Sequence, residues 1–203
     1  YIDLYQLHSA SDRPIQDTME DLLKYRDEGK IRYIGISNFS AEQIAEVSKA
    51  GPINSGQPRY SMLFREAEDD LLPAYQNNGI GVMAHSVLAK GLLGGRYKPT
   101  VQLNAEDERY KSGYFKGEMF ERIHGVTEKL KDWAMAQGRD LVQLAIAWPL
   151  ANPAVYTSIF GGRRPEDIVH CSKAWNWELT PQDLLEIDEI QGDLKLSMHS
   201  PPS

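Results

Sequence analysis

Short apolar runs rich in β-branched and aromatic residues alternate with amphipathic stretches along most of the chain. The apolar runs predict five β-strands, the third of them the weakest, at residues 1–7, 31–37, 53–60, 80–86 and 155–160. The amphipathic stretches predict helices at residues 15–28, 41–50, 66–77, 118–137, 141–151, 165–174 and 181–190. Because strands that alternate with helices are typical of β/α units, the pattern predicts an α/β fold with a parallel sheet.

Local signals mark the ends of several of these elements. Ser40 precedes a predicted helix and is followed three residues later by Gln43, which predicts a capping box. Gly29 and Gly79 each end a helix just before a strand, as a helix-to-strand turn requires. The stretch from Gly94 to Gly117 has no periodicity and predicts a long loop, of the kind that forms a functional lid or is disordered.

The number of strands bears on the architecture. A closed (β/α)8 barrel has eight strands in roughly 250 residues, so five strands predict a partial barrel of about five β/α units that lacks three units before Tyr1. The run at residues 1–7 is apolar at a free terminus, where an unpaired edge would promote aggregation. We therefore expect the sequence to be the later part of a longer protein. We assign residues 1–191 to the partial barrel and residues 192–203 to a flexible tail.

A partial barrel has two open sheet edges and an incompletely covered inner face. We expect such a piece to aggregate, to pair with another copy through its open edges, or to depend on the missing strands.

Composition excludes several classes of partner. The 203 residues are 41% hydrophobic and 25% charged, which suits one ordinary core. The net charge of −7 argues against nucleic-acid binding, which normally needs a basic face. Cys171 is the only cysteine, so an internal disulfide is excluded and a reducing compartment fits. No run approaches the roughly 20 apolar residues of a membrane span, and we expect a cytoplasmic protein without a membrane partner.

Polar side chains follow three of the predicted strands. His8 ends the first, where an imidazole can orient a carbonyl and stabilise negative charge on its oxygen. Ser37 and Asn38 follow the second strand and Gln57 ends the third, and their donors and acceptors can bind an amide. The alternatives are a hydrogen-bonded histidine at a strand end, and a turn that caps the following helix.

Two later loops have the character of anion sites. The segment from His85 to Arg96 is rich in glycine, which lets backbone amides approach an oxyanion, and it includes basic side chains. Arg163 and Arg164 precede a predicted helix, where two arginines beside a helix N-terminus suit a phosphate. The alternatives are an ordinary β/α turn for the first loop and surface charges for the second.

These motifs, in this order, resemble the later five-eighths of an aldo-keto reductase, a (β/α)8 barrel that binds a nicotinamide cofactor and reduces carbonyls. The resemblance covers about residues 1–190, and each motif lies at the carboxyl end of a predicted strand, where barrel active sites are built. The motifs are DLYQLH at 3–8, GKIRYIGISNF at 29–39, Gln57 with Tyr60, HSVLAKGLLGGRY at 85–97 and IFGGRRPEDI at 159–168.

The resemblance implies a role for each candidate. It implies that His8 is the catalytic histidine, that Ser37, Asn38 and Gln57 hold the nicotinamide carboxamide, and that the loop after the fourth strand holds the pyrophosphate. It implies that the loop after the fifth strand binds the adenosine 2′-phosphate, with NADPH preferred over NADH and a small carbonyl compound as substrate. The implied residues of these two loops are His85, Ser86, Leu88, Gly91, Gly161, Arg163, Arg164 and Asp167.

The sequence also departs from the family pattern. His85 replaces a tyrosine that often stacks on the nicotinamide ring, and His170 with Cys171 replace a Glu-Asn pair that contacts adenine. The family mechanism needs a tyrosine as general acid, with a lysine and an aspartate, and no residue of this chain matches those motifs. Because hydride transfer to a carbonyl leaves an alkoxide that must be protonated, we expect little or no reductase activity from the 203 residues alone.

Two functions are consistent with these observations. The parent protein is an NADP-dependent aldo-keto reductase, or it is a non-catalytic NADP-binding regulatory protein of reductase ancestry.

Overall fold

The computed structural model describes residues 1–101, 103–104 and 106–197, with the side chain of Glu108 left out. Five strands form one parallel sheet in chain order, so each strand pairs with the next along the sequence. They are β1 (Ile2–Leu7), β2 (Ile31–Ser37), β3 (Ser55–Gln57), β4 (Gly81–Ala84) and β5 (Val155–Ser158). The predicted α/β class and parallel sheet are confirmed, and the architecture is consistent with a partial barrel.

Helices connect the strands and cover one face of the sheet. They are α1 (Ile15–Asp27), α2 (Ala41–Ala50), α3 (Leu71–Asn77), α4 (Glu108–Lys111), α5 (Gly117–Ala136), α6 (Leu141–Leu150), α7 (Pro165–Ser172) and α8 (Pro181–Gln191). Short 3₁₀ turns span residues 66–68, 89–94 and 173–176. The predicted capping box is present at the start of α2, where Ser40 accepts a hydrogen bond from the Gln43 amide and Gln43 accepts one from the Ser40 amide.

Two predicted elements are shorter than expected because of proline. The third strand was expected at residues 53–60 but ends at Gln57, since Pro58 has no N–H to donate to the sheet. The helix expected at residues 66–77 is a 3₁₀ turn followed by α3 from Leu71. Pro73 explains the interruption, because its ring would clash with the carbonyl four residues earlier in a continuous helix.

The core lies between the sheet and the helices. Ile34 and Ile36 of β2 and Val82 of β4 are fully buried, and they face the apolar sides of the surrounding helices. Met19, Ile44 and Leu144, each 0% exposed, are contributed by α1, α2 and α6. The central strands are thus buried on their helix-facing side, whereas Gln6, Ser55 and Gln57 lie on the opposite face of the sheet.

The two outer strands each have a neighbour on one side only within the part of the chain that the structure describes. Tyr5 on β1 is 42% exposed and Tyr156 on β5 is 70% exposed. The open edges are therefore present, and self-association through them stays a prediction.

The last described residues differ from the flexible tail expected from residue 192 onward. Leu194 and Leu196 are each 3% exposed, and the Leu196 amide donates to the Leu63 carbonyl at 2.8 Å. The Tyr114 hydroxyl donates to the Ser197 carbonyl. Two leucines that pack into the core hold this segment on the barrel. Residues 198–203 of the expected tail lie outside the described residues.

Within the described ranges, no helix combines the length and apolarity needed to cross a bilayer.

Candidate functional site

The predicted site residues lie at the carboxyl ends of the strands. His8 directly follows β1, Ser37 ends β2, Gln57 ends β3 and His85 directly follows β4. Since the carboxyl ends of parallel strands meet at the same edge, the topology brings side chains from four separate segments together. The loop from Gly161 to Arg164 follows β5 and completes the set.

Hydrogen bonds join four residues at the ends of the first three strands, which we call the amide site: His8, Ser37, Asn38 and Gln57. The Asn38 side chain donates through Nδ2 to the His8 carbonyl at 2.8 Å and to Ser37 Oγ at 3.1 Å. Ser37 Oγ donates to the Gln57 carbonyl at 2.8 Å. Asn38 has a φ of 56°, a left-handed conformation that asparagine tolerates better than most residues. The amide site is thus a connected unit across three strands.

His85 lies beside the amide site in a partly buried position. Its Nδ1 is hydrogen-bonded to Ser86 Oγ at 2.8 Å, while its Nε2 is buried and has no hydrogen-bond partner among the described residues. Burial first, and then the positive charges of Arg59 and His8, lower the pKa of His85 below its usual value of 6.5. A neutral imidazole with a buried, unpaired nitrogen at the barrel mouth can stack on a ring or bond to a ligand.

The lowered pKa predicts how stability changes with pH. The unfolded chain binds a proton at His85 near pH 6.5 while the folded chain does not, so His85 should make the fold less stable as the pH falls below about 6.5. We expect NMR of the ring protons to place the His85 midpoint below 6.5, and the loss of stability between pH 8 and pH 5.5 to be smaller in His85→Asn. A midpoint at or above 6.5 would contradict this assignment.

A cavity of about 540 Å³ begins further along the same loop, and we call it the basic cavity. Leu88 and Gly91 line it from the loop after β4, and Gly161, Arg163 and Asp167 line it from the loop after β5. Its described lining holds five basic side chains and two carboxylates, although the whole chain has a net charge of −7. The basic residues are Lys90, Arg96, Arg109, Lys131 and Arg163. This concentration of positive charge suits a polyanionic ligand.

Three of these cations have no ion-pair partner within the part of the chain that the structure describes. Lys131 lies 3.1 Å from Glu128 and Arg109 pairs with Asp107, but Lys90, Arg96 and Arg163 form no ion pair with any described residue. Cations that face a cavity without a carboxylate partner remain available for phosphate oxygens.

The two neighbouring arginines have different surroundings. Arg163 lines the basic cavity, whereas the Arg164 side chain is 67% exposed and pairs with Asp167 at 3.0 Å. Asp167 also accepts hydrogen bonds from the Arg163 and Arg164 amides, so it shapes the start of α7. The hydrogen bond from Arg164 is the main cause that lowers the pKa of Asp167. A carboxylate beside a phosphate would repel it, so Asp167 suits a role in holding the loop.

The backbone of the loop after β4 is unusual. Ser86, Ala89 and Lys90 have φ angles of 59°, 48° and 58°, in the left-handed region that residues other than glycine rarely occupy. Leu88, with φ −87° and ψ 7°, is followed by the left-handed Ala89, a backbone pattern typical of anion-binding concavities, although the Ala89 N–H donates to the Ser86 carbonyl at 2.8 Å. Strained conformations of this kind cluster at ligand sites.

Gly91 is required at its position in this loop. Its φ is 94°, and a Cβ there would lie 3.1 Å from Cε2 of Tyr97, which also lines the basic cavity. Glycine therefore allows both the turn and the close approach of the tyrosine ring.

Comparison with known proteins agrees with this arrangement. The model of the aldo/keto reductase family matches residues 1–191. The chain belongs to the aldo/keto reductase family. The resemblance inferred from the motifs is thereby confirmed.

Two relatives show how much of a family member the chain represents. Aldo-keto reductase YhdN of Bacillus subtilis (strain 168) is 32% identical over 192 residues, which are 94% of this chain and 58% of that protein. A glycerol dehydrogenase from Gluconobacter oxydans superposes with a TM-score of 0.90 at 28% identity, covering 100% of this chain and 60% of the solved one. The chain thus spans about three fifths of the length of these aldo/keto reductases.

His170 and Cys171, the two positions where the sequence departs from the Glu-Asn pair of the family pattern, both line the basic cavity. His170 Nε2 lies 2.5 Å from Asp140 Oδ2, and Cys171 is buried beside it. Of the twelve predicted residues, four form the amide site and five line the basic cavity, whereas His85, Ser86 and Arg164 lie outside both groups.

Sequence reasoning missed several residues of the site. Tyr97, Lys131 and Asp140 line the basic cavity, and Gln6 bonds to Gln57 of the amide site. Gln6 lies inside the DLYQLH motif, near the end of β1 and two residues before His8, and this position was the available signal.

Proposed function

We propose that this chain provides the cofactor site of an aldo-keto reductase that transfers hydride from NADPH to an aldehyde or ketone. The observation that carries the proposal is the pairing of an amide-binding cluster at three strand ends with a basic cavity on the two following loops. NADPH has a carboxamide at one end, a pyrophosphate in its middle and a 2′-phosphate on the adenosine ribose, and the two groups of residues suit the carboxamide and the phosphates.

The amide site would bind the carboxamide and fix which face of the ring is presented. Its amide and hydroxyl groups offer donors and acceptors at fixed positions, which is the chemistry needed to orient an uncharged amide. The bound nicotinamide would supply the hydride. His8, whose backbone carbonyl accepts a hydrogen bond from Asn38, would use its imidazole to orient the substrate carbonyl and to stabilise the negative charge that develops on its oxygen.

The basic cavity would hold the phosphates. Lys90 and Arg96 from the loop after β4 suit the pyrophosphate, and Arg163 beside the start of α7 suits the adenosine 2′-phosphate. This assigns the preference for NADPH over NADH to Arg163 rather than to Arg164, whose guanidinium is engaged with Asp167.

The proton that the alkoxide needs requires a separate donor. The Tyr60 hydroxyl donates to Glu68 at 2.8 Å, and burial is the largest cause that raises the pKa of Tyr60 far above its usual value. A tyrosine held in this state is a poor general acid at neutral pH. We propose that a further segment of the parent protein supplies the donor.

Because Tyr60 is a poor general acid, its environment is also consistent with the second candidate function. In that case the protein is a regulatory protein that binds NADPH without reducing a substrate. The two candidates share the same cofactor site, so a binding experiment tests what they have in common.

The test compares two adjacent arginines. We expect the chain to bind NADPH more tightly than NADH, measured by titration calorimetry. Replacing Arg163 with alanine should weaken NADPH binding by about ten- to a hundredfold, the usual cost of losing a hydrogen bond to a charged group, and should leave NADH binding nearly unchanged. Arg164→Ala is the matched control and should change NADPH binding much less.

Equal effects of Arg163→Ala and Arg164→Ala, or equal affinity of the unaltered chain for NADPH and NADH, would overturn the assignment of the 2′-phosphate to Arg163. Absence of binding to either cofactor would overturn the proposed function itself.

A further inference from the structure

A hydrogen-bonded line of three polar side chains crosses the inner face of the sheet below the amide site. Gln6 on β1 donates through Nε2 to Ser55 Oγ on β3 at 3.0 Å. Gln57 at the end of β3 donates through Nε2 to Gln6 Oε1 at 2.8 Å. Gln57 belongs to the amide site, and the other two residues lie outside it. Ser55 is 7% exposed, so the line begins inside the protein and ends at the barrel mouth.

The absence of a side chain at Gly35 makes this line possible. Gln6 pairs with Gly35 on β2, and Gly35 pairs with Ser55 on β3, so the three residues form one row on one face of the sheet. A Cβ at Gly35 would lie 2.3 Å from Ser55 Oγ and 2.6 Å from Gln6 Cγ. The Gln6 side chain therefore occupies the space above β2 and reaches a strand that is not its neighbour.

The partners of Gln6 determine which way its amide points. Its Nε2 lies 3.0 Å from Ser55 Oγ and 4.0 Å from Met83 Sδ, and a thioether sulfur accepts hydrogen bonds but cannot donate them. Two acceptors on one side favour the NH₂ group there. The Gln6 oxygen is consequently turned toward Gln57.

The same argument then fixes the amide of Gln57. Because Gln6 Oε1 accepts from Gln57 Nε2, the Gln57 oxygen must point the other way, and it accepts no hydrogen bond from any described residue. If the Gln57 amide turned over, two oxygens would face each other and the bond would be lost. The line from Ser55 through Gln6 therefore turns the Gln57 oxygen toward the barrel mouth as an acceptor, while one N–H of the Gln57 amide is bonded to Gln6.

We propose that Gln6 is a positioning residue for the cofactor: it holds the Gln57 amide so that Gln57 Oε1 accepts an N–H from the nicotinamide carboxamide. This inference rests on the proposed function of the amide site. An amide fixed before binding loses less conformational freedom on binding than one that is free to turn. Gln6 does not itself contact the cofactor, and it acts through Gln57.

The test uses two substitutions at Gln6 and three ligands. Gln6→Met keeps an unbranched chain of similar length but removes the oxygen that accepts from Gln57. Gln6→Glu keeps one oxygen to accept from Gln57, and its other oxygen can accept a hydrogen bond donated by the Ser55 hydroxyl. The ligands are NADPH, its analogue with an acetyl group in place of the carboxamide, and adenosine 2′,5′-bisphosphate, which lacks the nicotinamide. Affinities are measured by calorimetry, and thermal melting checks that each variant is folded.

We expect Gln6→Met to weaken NADPH binding by about three- to tenfold, the usual contribution of one amide hydrogen bond, and Gln6→Glu to retain most of the affinity. Neither substitution should change the affinity for adenosine 2′,5′-bisphosphate. The acetyl analogue has no N–H to donate, so its affinity should be the same in Gln6→Met and in the unaltered chain.

Other outcomes separate this inference from the function on which it rests. Equal weakening of NADPH, the acetyl analogue and adenosine 2′,5′-bisphosphate by Gln6→Met would show a general structural role and overturn the inference. Unchanged NADPH affinity in Gln6→Met would also overturn it. If the unaltered chain binds adenosine 2′,5′-bisphosphate but gains nothing from the nicotinamide, the amide site itself is wrongly assigned, and the basic cavity stands.

Discussion

Replacing Phe64 with alanine is expected to lower the free energy of unfolding by about 3–5 kcal/mol, the usual range for a buried phenylalanine. Phe64 is 1% exposed, and its ring meets that of Tyr114 edge to face with centroids 5.5 Å apart. The Arg59 guanidinium lies 4.0 Å from the centre of the same ring. Removing the ring thus leaves a cavity and deprives both neighbours of their packing surface. Urea unfolding followed by circular dichroism measures the change.

Leu185→Ala is the matched control, because Leu185 is 59% exposed on α8. A substitution at such a position usually changes stability by less than about 0.5 kcal/mol. Similar losses in Phe64→Ala and Leu185→Ala would show that the segment after β3 is not packed as described.

A single methyl group at Gly56 should also destabilise the protein, by about 1–3 kcal/mol or more. A Cβ on Gly56 would lie 2.2 Å from Cε1 and 2.4 Å from Cζ of Tyr75, whose side chain is 0% exposed. A buried aromatic ring in a packed core cannot move aside as the end of a flexible chain can. Alanine therefore requires a shift of the sheet or of α3. Thermal and urea unfolding of Gly56→Ala measure the cost.

Gly125 provides a control of opposite sign. It lies inside α5, and a Cβ there would meet no atom within 4 Å. Because glycine is unfavourable inside a helix, Gly125→Ala should stabilise the protein by about 0.5–1 kcal/mol. Stability unchanged by Gly56→Ala would mean that the sheet and α3 are further apart than described.

Much of the fold is predictable because its signals are local. Ser40 and Gln43 form the expected capping box, since both partners lie within one turn of the helix they cap. The strands β1 and β2 are close to their predicted limits because their apolar runs are long. The main differences between the predicted and observed element bounds come from proline. Pro58 makes β3 end early and Pro73 makes α3 begin later than predicted, and a pattern of apolar positions shows neither effect.

The site was predictable in outline, because polar residues that follow buried strands must meet at one edge of a parallel sheet. Its details depend on contacts between residues distant in sequence. Gln6 and Ser55 are 49 residues apart and meet only because Gly35 leaves room between them. Arg163 and Arg164 are neighbours in sequence, but the Asp167 carboxylate pairs with the Arg164 guanidinium while Arg163 lines the basic cavity. The ligand roles assigned to these residues stay predictions.

The left-handed residues of the loop after β4 bear on how this protein can be engineered. Ser86, Ala89 and Lys90 each hold a conformation that costs a residue other than glycine roughly 1–2 kcal/mol. Glycine at these positions relieves that strain, so a search for thermostable variants will tend to select it. The same change deletes the Ser86 hydroxyl or the Lys90 cation and lets the loop explore more conformations when empty. Selection for heat resistance alone is therefore expected to change the loop after β4 and to remove side chains on which the proposed phosphate binding depends.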